Sequence, residues 1–322
     1  MPTITVVRAG MLTTIQDLGR WGRQASGVPV AGPMDEYSHI LANRLVGNDP
    51  GAAALEVTLI GPELESSSDV TCAVAGATFG LTIGGAGVPM HAPFTLRAGD
   101  CLRFGVRTSG ARATFAVRGG IAVDAVFGSR ATSLISRMGS FGGRPLQAGD
   151  VLPIGGTAAD TAAGGAERLV RTQVTPLALP TGGASLRVMR GPDEDRFTRR
   201  AYDTLFEGRF TITPQSNRMG YRLEGPRLAH AGAADILSDG TPIGSIQVPA
   251  SGQPIVLMAD RQTTGGYPKI ATVIGADLPL AGQLAPGDWI EFRSATRDEA
   301  IAARRARYQL LLDPRGTWPW WQ

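Results

Sequence analysis

Short apolar runs rich in β-branched residues, closed repeatedly by glycine or proline, leave this chain few folds to adopt. ALEVTLIGPEL, VTCAVAG, ATFGLTIGG, FTLRAGDCLRFG and ATFAVRGG follow one another between residues 54 and 120, and LQAGDVLPIG ends at 155. Runs of this length bounded by turn residues are strands, and strands at such close spacing build curled sheets and barrels. The 43 glycines and 22 prolines supply the punctuation,. The expected class is therefore mainly β.

Helices are few. PMDEYSHILANRLV (33–46) places Pro33, Asp35 and Glu36 at a helix start, Met34, Tyr37, Leu41 and Leu45 on one stripe, and Gly47 at the stop,. DEDRFTRRAYDTLFEG (193–208) has acids first and Gly208 last,. Thr296 and Glu299 form a capping box for a helix reaching about Leu312,.

Two patterns recur. Leu59-Ile60-Gly61-Pro62-Glu63-Leu64 matches Leu223-Glu224-Gly225-Pro226-Arg227-Leu228, and the Gly-Asp turn of Leu96–Phe104 matches that of Leu284–Phe292. The interval from Gly61 to Gly99 is 38 residues, and from Gly225 to Gly287 it is 62. A duplicated β unit, elaborated in its second copy, is the simplest account; coincidence of common hairpin turns is the other. Between the halves, GTAADTAAGGAE and PLALPTGGAS lose periodicity and read as a linker,.

The elaboration falls on residues 245–277. Its centre, residues 260–269, reads DRQTTGGYPK between the apolar runs IVLM and IATVI. This predicts a polar loop held between two buried strands, a usual place for binding groups. Gly265-Gly266 permits φ > 0 and close approach, so their N–H groups can face an anion. Lys269 is the only lysine among 31 basic residues; a compact ammonium differs from the planar fork used everywhere else. Ser216-Asn217-Arg218, Arg222 and Gln247 precede the loop, and Asp260, Arg261, Gln262, Thr263, Thr264 and Tyr267 lie in it. These types suit a small polar amide or carboxylate: arginine clamps a carboxylate, carboxamides read an amide, and backbone N–H groups stabilise an oxyanion. Asp260 is either a base or an orienting partner for Arg261.

Several classes are disfavoured. The net charge is only +3, with no basic stripe interleaved with aromatics, so nucleic acid is not an expected partner,. No run of 18 apolar residues occurs, and MPTITVVRAG reads as a strand rather than a leader, so a cytoplasmic chain without a membrane span is expected,. Cys72 and Cys101 are then reduced core residues. His39, His91 and His230 lack ligand spacing, so no metal is expected,. Walker, dinucleotide, nucleophile-elbow and biotin-carrier motifs are all missing,. Asp17, Arg20 and Arg23, among Gly19, Gly22 and Gly27, form either a substrate-facing loop or an internal Asp–Arg pair. The Trp-rich tail PRGTWPWWQ packs on its own chain, stays disordered, or meets a partner.

TIQDLGRWG with GPMDEYSHILANRLVGN, SNRMGYRLEGPRL and SIQVPASGQPIVLMADRQTTGGYPKIATV resemble the signature segments of the biotin-dependent carboxyltransferase family, also called the allophanate hydrolase subunit 2 or 5-oxoprolinase C-subunit family. The resemblance runs from about residue 3 to 294. It implies two cyclophilin-like β-barrel units with a few short helices: residues 1–160, a linker at 161–184, a second unit at 185–295 carrying the site, and a C-terminal helix and tail at 296–322. It implies two partners: a homologous B subunit, of the allophanate hydrolase subunit 1 type, and an A subunit. Together these hydrolyse 5-oxo-L-proline to L-glutamate with ATP; the chain is expected to be inactive alone and shows no ATP site of its own. Two alternatives accompany this reading. One is the carboxyltransferase half of a urea-type carboxylase, with biotin as its cofactor. The other is a non-catalytic module binding a kinase-inhibitor homologue. On this resemblance the expected catalytic residues are Lys269, Asp260 and Asn217. Expected substrate contacts are Arg218, Arg222, Gln247, Arg261, Gln262, Thr263, Thr264, Gly265, Gly266 and Tyr267.

Overall fold

The computed structural model describes residues 1–156, 175–309 and 311. Most of the linker segment and all of the Trp-rich tail lie outside the described residues. Contacts group the chain into two units: Met1–Arg20, Ala31–Leu179 and Tyr308–Gln322 form one, Trp21–Val30 and Pro180–Arg307 the other. Both are built mainly from strands, as the punctuated apolar runs predict.

The first unit contains β1 (Thr3–Arg8), β2 (Leu12–Gln16), α1 (Glu36–Leu45), β3 (Ala54–Thr58), β4 (Glu63–Ser66), β5 (Val70–Ile83), β6 (Ala86–Val88), β7 (Phe94–Leu96), β8 (Cys101–Val117) and β9 (Val151–Pro153). Its strands run β2-β3-β8-β4-β1-β9, with β5 pairing along β8 and carrying β6 and β7. The sheet curls without closing. Ile4, Leu55, Leu64, Val74, Leu102 and Phe115 are among the fully buried residues inside it. Cys72 is buried in this core, and both cysteines are free.

Helix α1 begins later than the proline suggests. Asp35 caps it by accepting from the N–H of Ser38 (2.9 Å), which leaves Pro33 outside. A buried polar cluster lies beside it. Asp17 accepts from the Gly19 N–H (2.9 Å), the Arg130 N–H and the Ser129 hydroxyl. Arg20 donates to the carbonyls of Val126 (3.0 Å) and Ala131. Both charged groups engage backbone, and Asp17 the Ser129 hydroxyl as well. Asn43 donates to the Ala52 carbonyl (2.9 Å) and faces His39 Nε2 at 3.2 Å.

The second unit contains β10 (Gly183–Arg190), α2 (Arg199–Glu207), β11 (Arg209–Ile212), β12 (Gly220–Glu224), β13 (Asp239–Gly240), β14 (Ser245–Gln247), β15 (Ile255–Leu257), β16 (Thr264–Gly265), β17 (Lys269–Val273), α3 (Leu278–Gly282) and β18 (Trp289–Ser294); α4 (Arg297–Gln309) follows. Seven of these strands close a barrel in the order β10-β17-β14-β15-β12-β11-β18, and β13 pairs only with β16. The capping box forms: Glu299 Oε2 accepts from the Thr296 N–H (2.7 Å), and Thr296 Oγ1 accepts from the Glu299 N–H (3.2 Å).

The helix expected over 193–208 is broken. Only a short 3-10 turn spans Glu194–Arg196. Phe197 is extended and bridges to His230, and Thr198 caps α2 by accepting from the Ala201 N–H. Burying Phe197 and recruiting Asp193 elsewhere override the local helical pattern.

The recurring Gly-Asp pairs are one turn used three times. At Asp100, Asp150 and Asp288 the N–H bonds the carbonyl three residues back, and the carboxylate accepts from that residue's own N–H. Gly99, Gly149 and Gly287 take φ of 80°, 91° and 94°, as the third residue of a type II turn requires,.

His39 is fully buried, and burial pulls its pKa down to about 4, against the raising effect of Asp17. In the unfolded chain the imidazole protonates near 6.5. Between those values the unfolded state binds more protons, so stability rises with pH and is lost on acidification. We expect a loss of about 3 kcal/mol between pH 6.5 and 4, absent in His39→Gln, when denaturant midpoints are followed against pH.

Candidate functional site

The polar loop does sit between strands β15 and β17, but these are not neighbours. Strand β14 lies between them, pairing Gln247 with Ile255 on one side and with Lys269 on the other. The register slips at Ile246/Gln247. Such an irregularity re-aims a side chain, and here it falls on the strand that carries Gln247.

Lys269 opens β17 with its side chain 1% exposed. Its Nζ lies 3.2 Å from Asp239 Oδ2 and 3.4 Å from Asp193 Oδ2. Its backbone N–H also donates to Asp193 (2.8 Å). The ammonium is thus a compact cation between two carboxylates, a geometry in which one point charge with three donors serves better than a fork. Gly191 brings Asp193 to it: a Cβ at Gly191 would stand 1.9 Å from the Lys269 carbonyl oxygen. The Asp239 carboxyl is held below its usual range by the Gly240 N–H first and by Lys269 second. Neither aspartate stands out in the sequence; Asp193 reads as a helix-start acid and Asp239 as half of an Asp-Gly turn.

Asp260 and Arg218 form a buried two-point pair, Nε to Oδ2 at 3.0 Å and Nη2 to Oδ1 at 3.1 Å, with side chains 1% and 3% exposed. The Asp260 N–H also donates to the Arg218 carbonyl (2.8 Å). Asp260 is therefore tied to Arg218, with both carboxylate oxygens engaged. Arg261 instead donates from Nε to the Thr241 carbonyl (2.7 Å), and burial lowers its pKa to about 10.

The remaining loop residues build an arm. Thr264 and Gly265 pair with Gly240 and Asp239, the Thr263 carbonyl accepts from Thr241, and the Gly266 carbonyl accepts from Ile236. Neither Gly265 nor Gly266 takes positive φ. Gly265 serves close approach: a Cβ there would stand 2.5 Å from Gln247 Nε2 and 3.0 Å from Gln262 Nε2.

A cavity of about 640 Å³ opens beside this arm. Of the residues expected from sequence, it takes Asn217, Arg222, Gln247, Gln262 and Tyr267, and it excludes Lys269, Asp260, Arg218 and Arg261 from its lining. Gln215 and Gln253 also line it, and no sequence motif marks either. Two of the carboxamides are committed: Asn217 Oδ1 accepts from the Met219 N–H (2.8 Å), and Gln253 exchanges two bonds with the Gly225 backbone (2.9 and 3.0 Å). Gln247 differs. It is 2% exposed, and its Nε2 finds no hydrogen-bond acceptor among the described residues. A buried unsatisfied donor costs about 1–3 kcal/mol, and Thr213 Oγ1 in the same lining is likewise without a partner among the described residues. No potential metal-holding cluster of three or more His, Cys, Asp or Glu occurs among the described residues, and no helix among them is long and apolar enough to cross a membrane.

Two predictions separate support from chemistry. Asp260→Asn or Arg218→Met should each cost about 3–5 kcal/mol in urea denaturation, because either breaks a buried ion pair by removing one partner; a cost below about 1 kcal/mol removes the pair from the scaffold. Lys269→Met should release the arm, so that hydrogen exchange of residues 236–241 quickens while the barrel strands stay protected. Unchanged exchange there means the arm holds itself.

Comparison with known proteins agrees with this architecture. A family model described as carboxyltransferase domain, subdomain A and B, matches residues 26–294. The chain is 39% identical to the 5-oxoprolinase C subunit of Escherichia coli K12, covering 94% of each. It is 35% identical to the protein of the same name from Haemophilus influenzae, covering 93% of each. It is 33% identical to the urea amidolyase of Saccharomyces cerevisiae, covering 90% of this chain but 16% of that one. The crystal structure of the Kluyveromyces lactis urea amidolyase superposes with a TM-score of 0.87 at 29% identity, over 99% of this chain and 21% of that one. With a family model spanning most of its length and relatives matching end to end, this chain belongs to the carboxyltransferase-domain family built of subdomains A and B.

Proposed function

We propose that this chain is one subunit of a 5-oxoprolinase, a complex that opens the lactam of 5-oxo-L-proline to L-glutamate with ATP hydrolysis. The carrying observation is the match over 94% of both lengths to a free-standing 5-oxoprolinase C subunit, rather than to a segment of a larger enzyme. The chemistry of the second unit agrees: a cavity rich in carboxamides, with Arg222 and Glu224 also in its lining, suits a planar amide, and reaction at an amide carbonyl develops oxyanion charge that fixed N–H donors stabilise,. Its partners on this reading are a B subunit homologous to it and an A subunit; ATP is used by the assembly. Lys269, with Asp193 and Asp239, holds the arm that covers the site, and Asp260 with Arg218 keeps the strand ends together beneath it.

A second reading has its own support. The fold matches the K. lactis urea amidolyase over 99% of this chain. In that case the chain is half of a carboxyltransferase moving a carboxyl group from carboxybiotin to a urea-like acceptor. Both readings place a planar carbonyl–nitrogen group in the site.

The deciding experiment measures glutamate release from 5-oxo-L-proline and ATP by the reconstituted complex, with and without this chain. We expect release only when the chain is present, and loss of at least a hundredfold in rate with Lys269→Met in an assembled complex. Release without the chain, or none from an intact complex, removes the first reading; biotin-dependent carboxylation of urea then establishes the second.

A further inference from the structure

We infer that two pinned turns of the first unit, residues 126–129 and 133–138, are a docking surface for a different folded subunit, one that offers apolar pockets with an acidic rim. The choice of the B subunit as that partner rests on the reading above; the surface itself rests on the geometry of these turns.

No strand or α-helix forms between β8 and β9, yet the chain there is closely held. Val126 and Ser129 exchange backbone hydrogen bonds (2.8 and 3.3 Å), and so do Ser133 and Met138 (2.9 and 3.2 Å). Three buried polar side chains grip the bases of both turns. Asp17 accepts from the Ser129 hydroxyl and the Arg130 N–H, and Arg20 donates to the carbonyls of Val126 (3.0 Å) and Ala131. Gln16 Nε2 donates to the Thr132 carbonyl (3.1 Å). Burying and ordering such groups is costly, and here they fix two turns whose tips face solvent.

Folding by itself does not account for the tips. Phe127 and Gly128 take φ of 53° and 83°. Two successive positive values define a type I′ turn, whose first central position suits asparagine. A phenylalanine there is strained, and with its residue 51% exposed, burial does little to offset the strain. The second turn presents Ile135, 61% exposed, and holds Arg137 at φ 49°. Bulky residues kept in the left-handed region, with a framework that enforces it, mark functional segments. Apolar side chains already fixed in place lose little freedom on docking, which suits them as anchors of an interface.

Charge selects the partner. Arg130 follows the first turn directly, Arg137 lies in the second, and both are exposed. Arg144 is committed to Asp150 (2.7 Å), and Asp124 is the one carboxylate between residues 121 and 146. A second copy of this chain would bring like charge against like, whereas an acidic rim on another subunit complements it.

The test titrates the full-length chain with the purified B subunit by calorimetry and follows the Tm of the free chain in parallel. Phe127→Asn relaxes the turn and removes the ring. Its Tm should hold or rise while Kd weakens about tenfold or more, a split that a structural role would not produce. Ile135→Ser should weaken binding without lowering Tm, and Arg137→Glu should weaken it more at low salt than at high. Wild-type affinity in the Phe127→Asn/Ile135→Ser double variant overturns the inference. So does a lowered Tm with unchanged affinity in Phe127→Asn, a wild-type chain that does not bind the B subunit, or a homodimer that the double variant dissolves. Binding that needs both residues, in an assembly that releases no glutamate, leaves this surface and removes the 5-oxoprolinase reading. Glutamate release by a complex that carries the double variant at wild-type affinity does the reverse.

Discussion

The arm of the second unit depends on one buried cation. Lys269 Nζ lies between Asp193 and Asp239, and each carboxylate comes from a segment that has little else to fix it. Asp193 sits in a turn that would otherwise continue a helix. Asp239 belongs to a two-residue strand that pairs with β16 alone. Through that pairing Lys269 sets Gly265 against Gln247, although the lysine lines no part of the cavity. A point charge can satisfy two acceptors from different directions, whereas a guanidinium fork prefers one planar partner. This accounts for a lysine at the one position where arginine, used thirty times elsewhere, would not serve.

The division of polar groups follows from the same arrangement. Charged residues are spent on scaffold: Arg218 on Asp260, Arg261 on a carbonyl, Lys269 on two aspartates. Five carboxamides face the cavity, together with Arg222 and Glu224. A low-dielectric site strengthens every hydrogen bond made in it and makes every unmade one costly. Gln247 Nε2, buried without an acceptor among the described residues, carries such a cost.

Much of this was legible from residues in order. The punctuated β-branched runs gave a strand-rich chain, the Thr296–Glu299 box gave the start of the last helix, and the Gly-Asp pairs gave turns, because each depends on neighbours within a few positions. Lys269 stood out by count and Gly265 by type. Where local signals failed, a distant contact had won. The 193–208 helix broke because Phe197 is buried against His230 and Asp193 is drawn to a residue 76 positions away. Asp260, in the turn after β15, bonded Arg218, 42 positions away, rather than its neighbour Arg261.

The sequence alone determined the class of fold, the turns, and the window in which the polar groups gather, since periodicity and turn chemistry are local. Only the tertiary structure decided that strand β14 lies between β15 and β17 and that the second unit closes into a barrel while the first stays open. It also decided which carboxamides are committed to backbone partners. Those outcomes rest on strand order and on the slip in register at Gln247, and a pairing between distant strands has no signature in either strand by itself,.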